Sequence, residues 1–318
     1  MDKQSNVLDL SRTPFGTVYE FCFIVYVNCN GEACGVAISI YSRRNYTGME
    51  RMKLSLHKLF VFLVTVLIFI IPFFWVKPGE MDLGGDNSRL YFYDPIAYLV
   101  SQSLYSVSHS GLGGENLSYF GIPFFLLLAG VKWLVTSPTI LIGIFHGLNL
   151  SGGFISCYFV VKELLKNEDS SKYERLIIEV SAILAGLYYT FSPNPIGGWG
   201  YPLLPMNLVF LNPLLFYLLL RFFLTGRMRY IFISLLITFF FAPNFSFIGA
   251  PTFFSFFPVS VLFLMIYTKV IKKKSIPWAK IVHSLILFVL IQAFHLFPQV
   301  ASIMTPGSVA NETVFGNF

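Results

Sequence analysis

The chain has 318 residues, of which 55% are hydrophobic, 18% aromatic and only 12% charged. Soluble domains carry about 25% charged residues, so an ordinary water-soluble fold is excluded. The formal charge of +6 is not a nucleic-acid signal, because 19 of the 22 Lys and Arg fall in four clusters beside apolar runs: seven before residue 59, four in 162–175, three in 221–229 and five in 269–280.

Residues 1–48 hold no sustained apolar run, and the stretch 21–27 is too short to cross a bilayer. Met49 or Met52, followed by Lys53, Lys58 and a long apolar run, reads as the natural start of a membrane protein. On that reading 1–48 is a poorly ordered extension. It holds Cys22, Cys29 and Cys34, while Cys157 lies in a later run. Cys29 and Cys34 lack the second ligand pair that a zinc site needs.

Residues 59–76 are 18 residues without a charge, enough to cross a hydrocarbon core of roughly 30 Å at about 1.5 Å per residue. Similar runs follow at 138–161, 176–192, 206–224, 230–249, 251–268 and 281–299, with a further one at 118–136. They are continuously apolar, which favours helices over the alternating strands of a β-barrel.

Basic clusters mark the cytoplasmic face. All four lie on that face if one early run does not cross. The segment 118–136 fits, since it holds Pro123, Gly130 and Lys132 and is joined to the next run by Ser137-Pro138 alone. The expected fold is therefore an all-α, polytopic transmembrane bundle of about seven spans over residues 49–300. The segments 118–136 and 96–108 become juxtamembrane helices in the first outer loop. The N-terminus is placed in the cytoplasm, the protein in the plasma membrane, and 301–318 as a polar outer tail at which the chain reads as truncated.

With that topology the polar features gather on the outer side. The loop 77–117 carries two basic and five acidic residues, among them Gly84-Gly85-Asp86-Asn87-Ser88-Arg89 and Tyr93-Asp94-Pro95. The glycines let the backbone present Asp86 closely to a ligand, and the same residues also suit a plain surface turn. Asp94 before Pro95 has the pattern of a helix N-cap. Arg89 suits a phosphate, or a pairing with Asp86 or Glu115, and Glu115 is either a turn residue or a second acid. Trp199 and Tyr201 in the Pro-rich loop 193–205 are interfacial anchors or a platform for a sugar ring. His146, beside Asn149 and Ser151 inside a run, reads as a packed histidine facing the bundle interior.

The string Gly85-Asp86-Asn87-Ser88-Arg89-Leu90-Tyr91-Phe92-Tyr93-Asp94-Pro95, with Gly121-Ile122-Pro123 and the segment to Trp133 after it, resembles the polytopic GT-C glycosyltransferases. Within them it is similar to the membrane proteins related to arabinofuranosyltransferases and to the YfhO-like family. The resemblance implies a transferase that takes a sugar from a polyprenyl-phosphate-linked donor on the outer face, for an envelope glycan, lipid or protein acceptor. It implies Asp86 as catalytic acid/base, Arg89 at the leaving lipid phosphate, and Asp94 or Glu115 orienting the acceptor or holding a divalent metal. The family pattern is longer, which leaves room for a second chain completing the protein. The competing expectation is a non-catalytic scaffold or a transporter-like subunit of envelope assembly, with membrane lipids and no nucleic acid as partners in either case.

Overall fold

The computed structural model describes residues 22–29, 32–39, 48–75, 89–100, 121–166, 171–192, 210–242 and 251–305. The chain divides into two compact units, Met1–Val61 and Phe62–Phe318. Apart from one hairpin the described regular elements are helical.

The hairpin belongs to the first unit, inside the segment expected to be an extension. Strands β1 (Cys22–Cys29) and β2 (Glu32–Ser39) are antiparallel, with Cys22 opposite Ser39 and Cys29 opposite Glu32. The sequence Asn30-Gly31 between them is a strong hairpin signal. Phe23, Ile24, Val25, Tyr26 and Val27 are all strand-favouring residues. An apolar stretch too short for a membrane span is long enough for a strand.

Helix α1 (Gly48–Ile70) starts with Arg51, Lys53 and Lys58 and continues without charge. It tightens into a 3-10 turn, Ile71–Phe74, at Pro72, which has no backbone N–H to continue the α pattern. A second 3-10 turn, Arg89–Phe92, precedes the short α2 (Pro95–Tyr98). Then come α3 (Ile122–Leu134), α4 (Pro138–Leu165), α5 (Lys172–Phe191), α6 (Leu211–Thr225) and α7 (Arg229–Phe240). Helix α8 (Pro251–Ile266) runs on into a π-helical turn, Tyr267–Ile271, and α9 (Trp278–Met304) follows.

The helix ends follow local chemistry. Ser171 and Glu174 form a reciprocal capping box at the start of α5, with Glu174 N donating to Ser171 Oγ at 3.2 Å and Ser171 N to Glu174 Oε2 at 2.6 Å, so two orphan amides are satisfied together. Gly226 ends α6 at φ 64°, a left-handed conformation that glycine adopts without strain.

Contacts fix the direction of each helix. Gly143 of α4 meets Phe73, and Gly147 meets Phe69, so α1 and α4 are antiparallel. Gly186 lies on Phe154, and Glu179 accepts from Tyr158 Oη at 2.7 Å, making α5 antiparallel to α4. Phe159 stacks on Tyr217, and Arg221 pairs with Glu163 at 2.7 Å, so α6 runs parallel to α4. Arg221 reaches Tyr230 while Phe210 meets Phe241, so α7 opposes α6. Phe216 meets Phe263 while Lys274 reaches Leu224, so α8 runs with α6, and Lys280 reaches Gly226 while Gln292 reaches Thr238, so α9 runs with α7. From α4 onward the helices therefore alternate in direction along the chain.

Helix α4 is the mostly buried centre, with α1, α5 and α6 around it, while α1 and α9 expose most of their apolar side chains. Exposed Leu63, Leu67, Leu285, Ile286 and Val289 suit a hydrocarbon solvent. Three helical segments, His57–Phe74, Pro138–Leu165 and Trp278–Met304, are long and apolar enough to cross a membrane. Helices α3, α6 and α7, and the stretch Phe256–Ile271, are shorter and apolar.

Candidate functional site

The two ends of this bundle have opposite chemistry. At one end α4, α6, α8 and the start of α9 bring three basic clusters together. Lys162 forms an ion pair with Glu179 and donates to Tyr158 Oη at 2.9 Å, tying α4 to α5. Arg221 links α6 to Glu163 of α4. Lys272 Nζ donates to the Lys166 carbonyl at 3.0 Å, Lys274 Nζ to that of Leu224 at 3.2 Å, and Lys280 Nζ to that of Gly226 at 2.7 Å. Each ammonium meets the carbonyl end of a helix, where a cation is favoured. The clusters 162–175, 221–229 and 269–280 thus share one end, as the charge pattern required.

The opposite end is built of aromatic rings. Tyr91 and Phe92 are buried, packed with Tyr98 of α2, Phe124 and Phe125 of α3 and Phe145 of α4. Phe241, just past α7, packs on both Phe124 and Phe210. Alternation of rings edge to face favours such clusters beyond simple burial. Helix α3 therefore sits on the bundle end away from the lysines.

One turn of α4, residues 145–149, anchors three distant segments at this end. The Phe92 ring lies 5.4 Å from that of Phe145, and the Trp75 ring meets His146 edge-on at 5.8 Å. Asn149 Oδ1 accepts from the Phe210 amide at 3.4 Å, and Ser151 Oγ donates to the Gly147 carbonyl at 2.6 Å. Trp75 and Arg89–Phe92 flank 76–88, which contains Asp86, and Phe210 follows 193–209, which contains Trp199 and Tyr201.

Asp86, Glu115, Trp199 and Tyr201 themselves lie outside the described residues, as does the side chain of Arg89, whose backbone opens the turn Arg89–Phe92. Asp94 is exposed and caps α2, its Oδ1 accepting from Ala97 N at 2.9 Å. That is the N-cap role its place before Pro95 suggested. His146 is buried against Trp75, a packed histidine as expected. Among the described residues no group of three or more His, Cys, Asp or Glu is placed to hold a metal ion.

Sequence reasoning misses a row of buried polar groups on α9. Gln292 Nε2 donates to Thr238 Oγ1 of α7 at 2.9 Å, and Thr238 Oγ1 donates to the Leu235 carbonyl at 3.0 Å. His295 Nε2 lies 2.6 Å from Gln292 Oε1, and Gln299 Nε2 lies 3.0 Å from His295 Nδ1. The one tautomer consistent with these amide orientations is neutral, with Nε2 donating and Nδ1 accepting. Thr238, Gln292, His295 and Gln299 are each at most 1% exposed. A signal does exist: 292, 295, 299 and 302 recur at helical spacing in an otherwise apolar run, and polar residues in such runs face protein.

No family model, curated protein or solved structure matches the chain.

Proposed function

We propose that the chain is an integral-membrane glycosyltransferase that crosses the bilayer seven times, through α1 and α4 to α9. Its N-terminus is cytoplasmic, and its reaction takes place at the end remote from the lysines. The donor is a sugar carried on a polyprenyl phosphate, and the acceptor is a hydroxyl of an envelope glycan, lipid or protein. The acceptor oxygen attacks the anomeric carbon, the bond from that carbon to the phosphate oxygen breaks, and the polyprenyl phosphate leaves with the bonding electrons. Asp86 takes the acceptor proton as general base. Arg89 offers charge-assisted hydrogen bonds to the departing phosphate. Trp199 and Tyr201 stack on sugar. Glu115 orients the acceptor or holds a divalent cation, while Asp94 holds the start of α2.

The observation that supports this reading is the convergence on residues 145–149 of α4. Chain segments flanking Asp86 and the Trp199–Tyr201 stretch meet there, at the bundle end without the basic clusters. The test is transfer of labelled sugar from a polyprenyl-phosphate donor in membranes holding the wild-type chain or Asp86→Asn. Transfer by the wild type alone, at equal expression, supports the reading. Equal transfer removes Asp86 from the reaction, and none in either rejects the activity.

The second reading, a transporter-like subunit, is favoured by the buried row Thr238–Gln292–His295–Gln299, because polar groups inside a membrane bundle often mark a solute path. It requires solute flux that Gln292→Leu abolishes.

A further inference from the structure

The lysine-bearing end has a charge balance that the bundle does not resolve internally. From residue 180 to residue 311 the sequence contains no Asp or Glu, yet it holds eight Lys and Arg, all in 221–229 and 269–280. With 162–179 included, twelve Lys and Arg stand against five carboxylates, Glu163, Glu168, Asp169, Glu174 and Glu179. Three of those acids are engaged on α4 and α5: Glu163 with Arg221, Glu179 with Lys162, and Glu174 in the α5 capping box. Glu168 and Asp169 lie outside the described residues, and two charges leave most of the excess in place. Arg227, Arg229, Lys269, Lys273, Lys274 and Lys280 are exposed.

These cations lie close together. Lys274 and Lys280 reach the Leu224 and Gly226 carbonyls, beside Arg227, and Arg229 Nη2 donates to Tyr230 Oη at 2.9 Å. Lys273 stands between the capping lysines at φ 50°, a left-handed conformation that non-glycine residues adopt uncommonly. The carbonyl ends of α4 and α6 would by themselves repel an anion. The ammonium groups of Lys272, Lys274 and Lys280 cover those carbonyls and remove that repulsion.

Exposed aromatic residues bear on the depth of this end. Tyr173 opens α5 and Trp278 opens α9, with 72% and 57% of their surface exposed. Tyr188, 78% exposed, lies on the same helix as Tyr173 and roughly 22 Å further along at 1.5 Å per residue. Trp and Tyr concentrate at both membrane–water interfaces. By that preference Tyr173 and Trp278 suit the level of lipid headgroups.

We propose that this end is a binding site for anionic phospholipid headgroups, with Arg227 and Lys273 as its principal contacts and Lys274 and Lys280 in support. The occupant is the leaflet itself, because the cations lie beside aromatic residues suited to the depth of its phosphates and outnumber the carboxylates of the surrounding chain.

The full chain, reconstituted in vesicles of phosphatidylcholine with a minor share of phosphatidylglycerol and then extracted in detergent, is assayed for the two lipids it retains. The wild type is expected to enrich phosphatidylglycerol over the bulk mixture. Arg227→Gln with Lys273→Gln lowers that enrichment about fivefold or more, on the scale of attraction per surface cation, while Lys132→Gln at the opposite end leaves it unchanged. Molar sodium chloride erases the enrichment in the wild type, an arm that does not depend on how any variant folds. No enrichment in the wild type, or enrichment that the double variant keeps, overturns the proposal. Release of the lipid by inorganic phosphate, but not by sodium chloride of equal ionic strength, overturns the choice of lipid in favour of a free anion.

Discussion

The indole of Trp75 meets the ring of His146 edge-on at 5.8 Å, so the last described residue before the Gly84-Gly85-Asp86 sequence rests on α4. Phe92, the far flank of the same sequence, rests on the neighbouring Phe145. One helix turn thus holds both approaches to the proposed acid/base, and disturbing it should affect stability and transfer together.

Helix α1 reaches α4 only because residue 147 has no side chain. A Cβ on Gly147 would collide with the Phe69 backbone oxygen, whereas one on Gly130 of α3 meets nothing within 4 Å. Gly147→Ala is expected to destabilise by about 1–3 kcal/mol, the range for overpacked sites. Gly130→Ala, in an exposed helix interior, is expected to be neutral or to stabilise by about 0.5–1 kcal/mol. Thermal unfolding of the purified chain in one detergent compares the two; equal losses would deny the close approach of α1 and α4.

Asp94 and Asp86 should separate cleanly. Asp94 accepts from Ala97 N, and Asn preserves an N-cap as well as Asp does. Asp94→Asn should therefore retain sugar transfer and stability, while Asp94→Ala costs about 0.5–2 kcal/mol of local stability. Asp86→Asn should lower transfer about 10²–10⁴-fold, the range for a general acid/base. A large loss of transfer in Asp94→Asn, with folding intact, would put Asp94 in the chemistry.

The contact between α7 and α9 carries its own test. Gln292→Leu removes the hydrogen bond that Thr238 Oγ1 accepts, leaving its bond to the Leu235 carbonyl, and breaks the bond to His295. Thr238→Val and Gln292→Leu, singly and together, should give a coupling energy of about 0.6 kcal/mol, the average for hydrogen bonds between membrane helices. Additive effects would mean that the row only fills space.

The topology is open to labelling. In a chain with its native cysteines replaced by Ser, Lys273→Cys should react with a membrane-impermeant maleimide only after cells are opened. Gly85→Cys should react in intact cells. The same sidedness for both would discard the seven-span arrangement.

Much of the helical plan is legible in the amino-acid order alone. The runs that form α1, α4 and α9 show in hydropathy, because each side chain's transfer free energy is local to its own residue. Lys132, Pro123 and the charge clusters mark 118–136 as a segment apart, and the helix within it, α3 (Ile122–Leu134), packs at the aromatic end. Asp94-Pro95 announces its cap, since an N-cap needs only residues within four positions.

The boundaries are less legible. The run 206–224 holds α6 at 211–225, and the run 230–249 holds α7 at 229–240. Apolar residues continue past a helix end, whereas Gly226 stops α6 by backbone geometry. What the linear pattern leaves open is which polar groups face each other: Asn149 with the amide of Phe210, Lys274 with the Leu224 carbonyl, Gln292 with Thr238. Those pairs are 50 residues or more apart. Hydrophobicity says that a segment is buried in lipid or protein without saying against what. The partner is chosen by packing, through glycines that admit Phe69 and Phe154 and rings that interlock at one end.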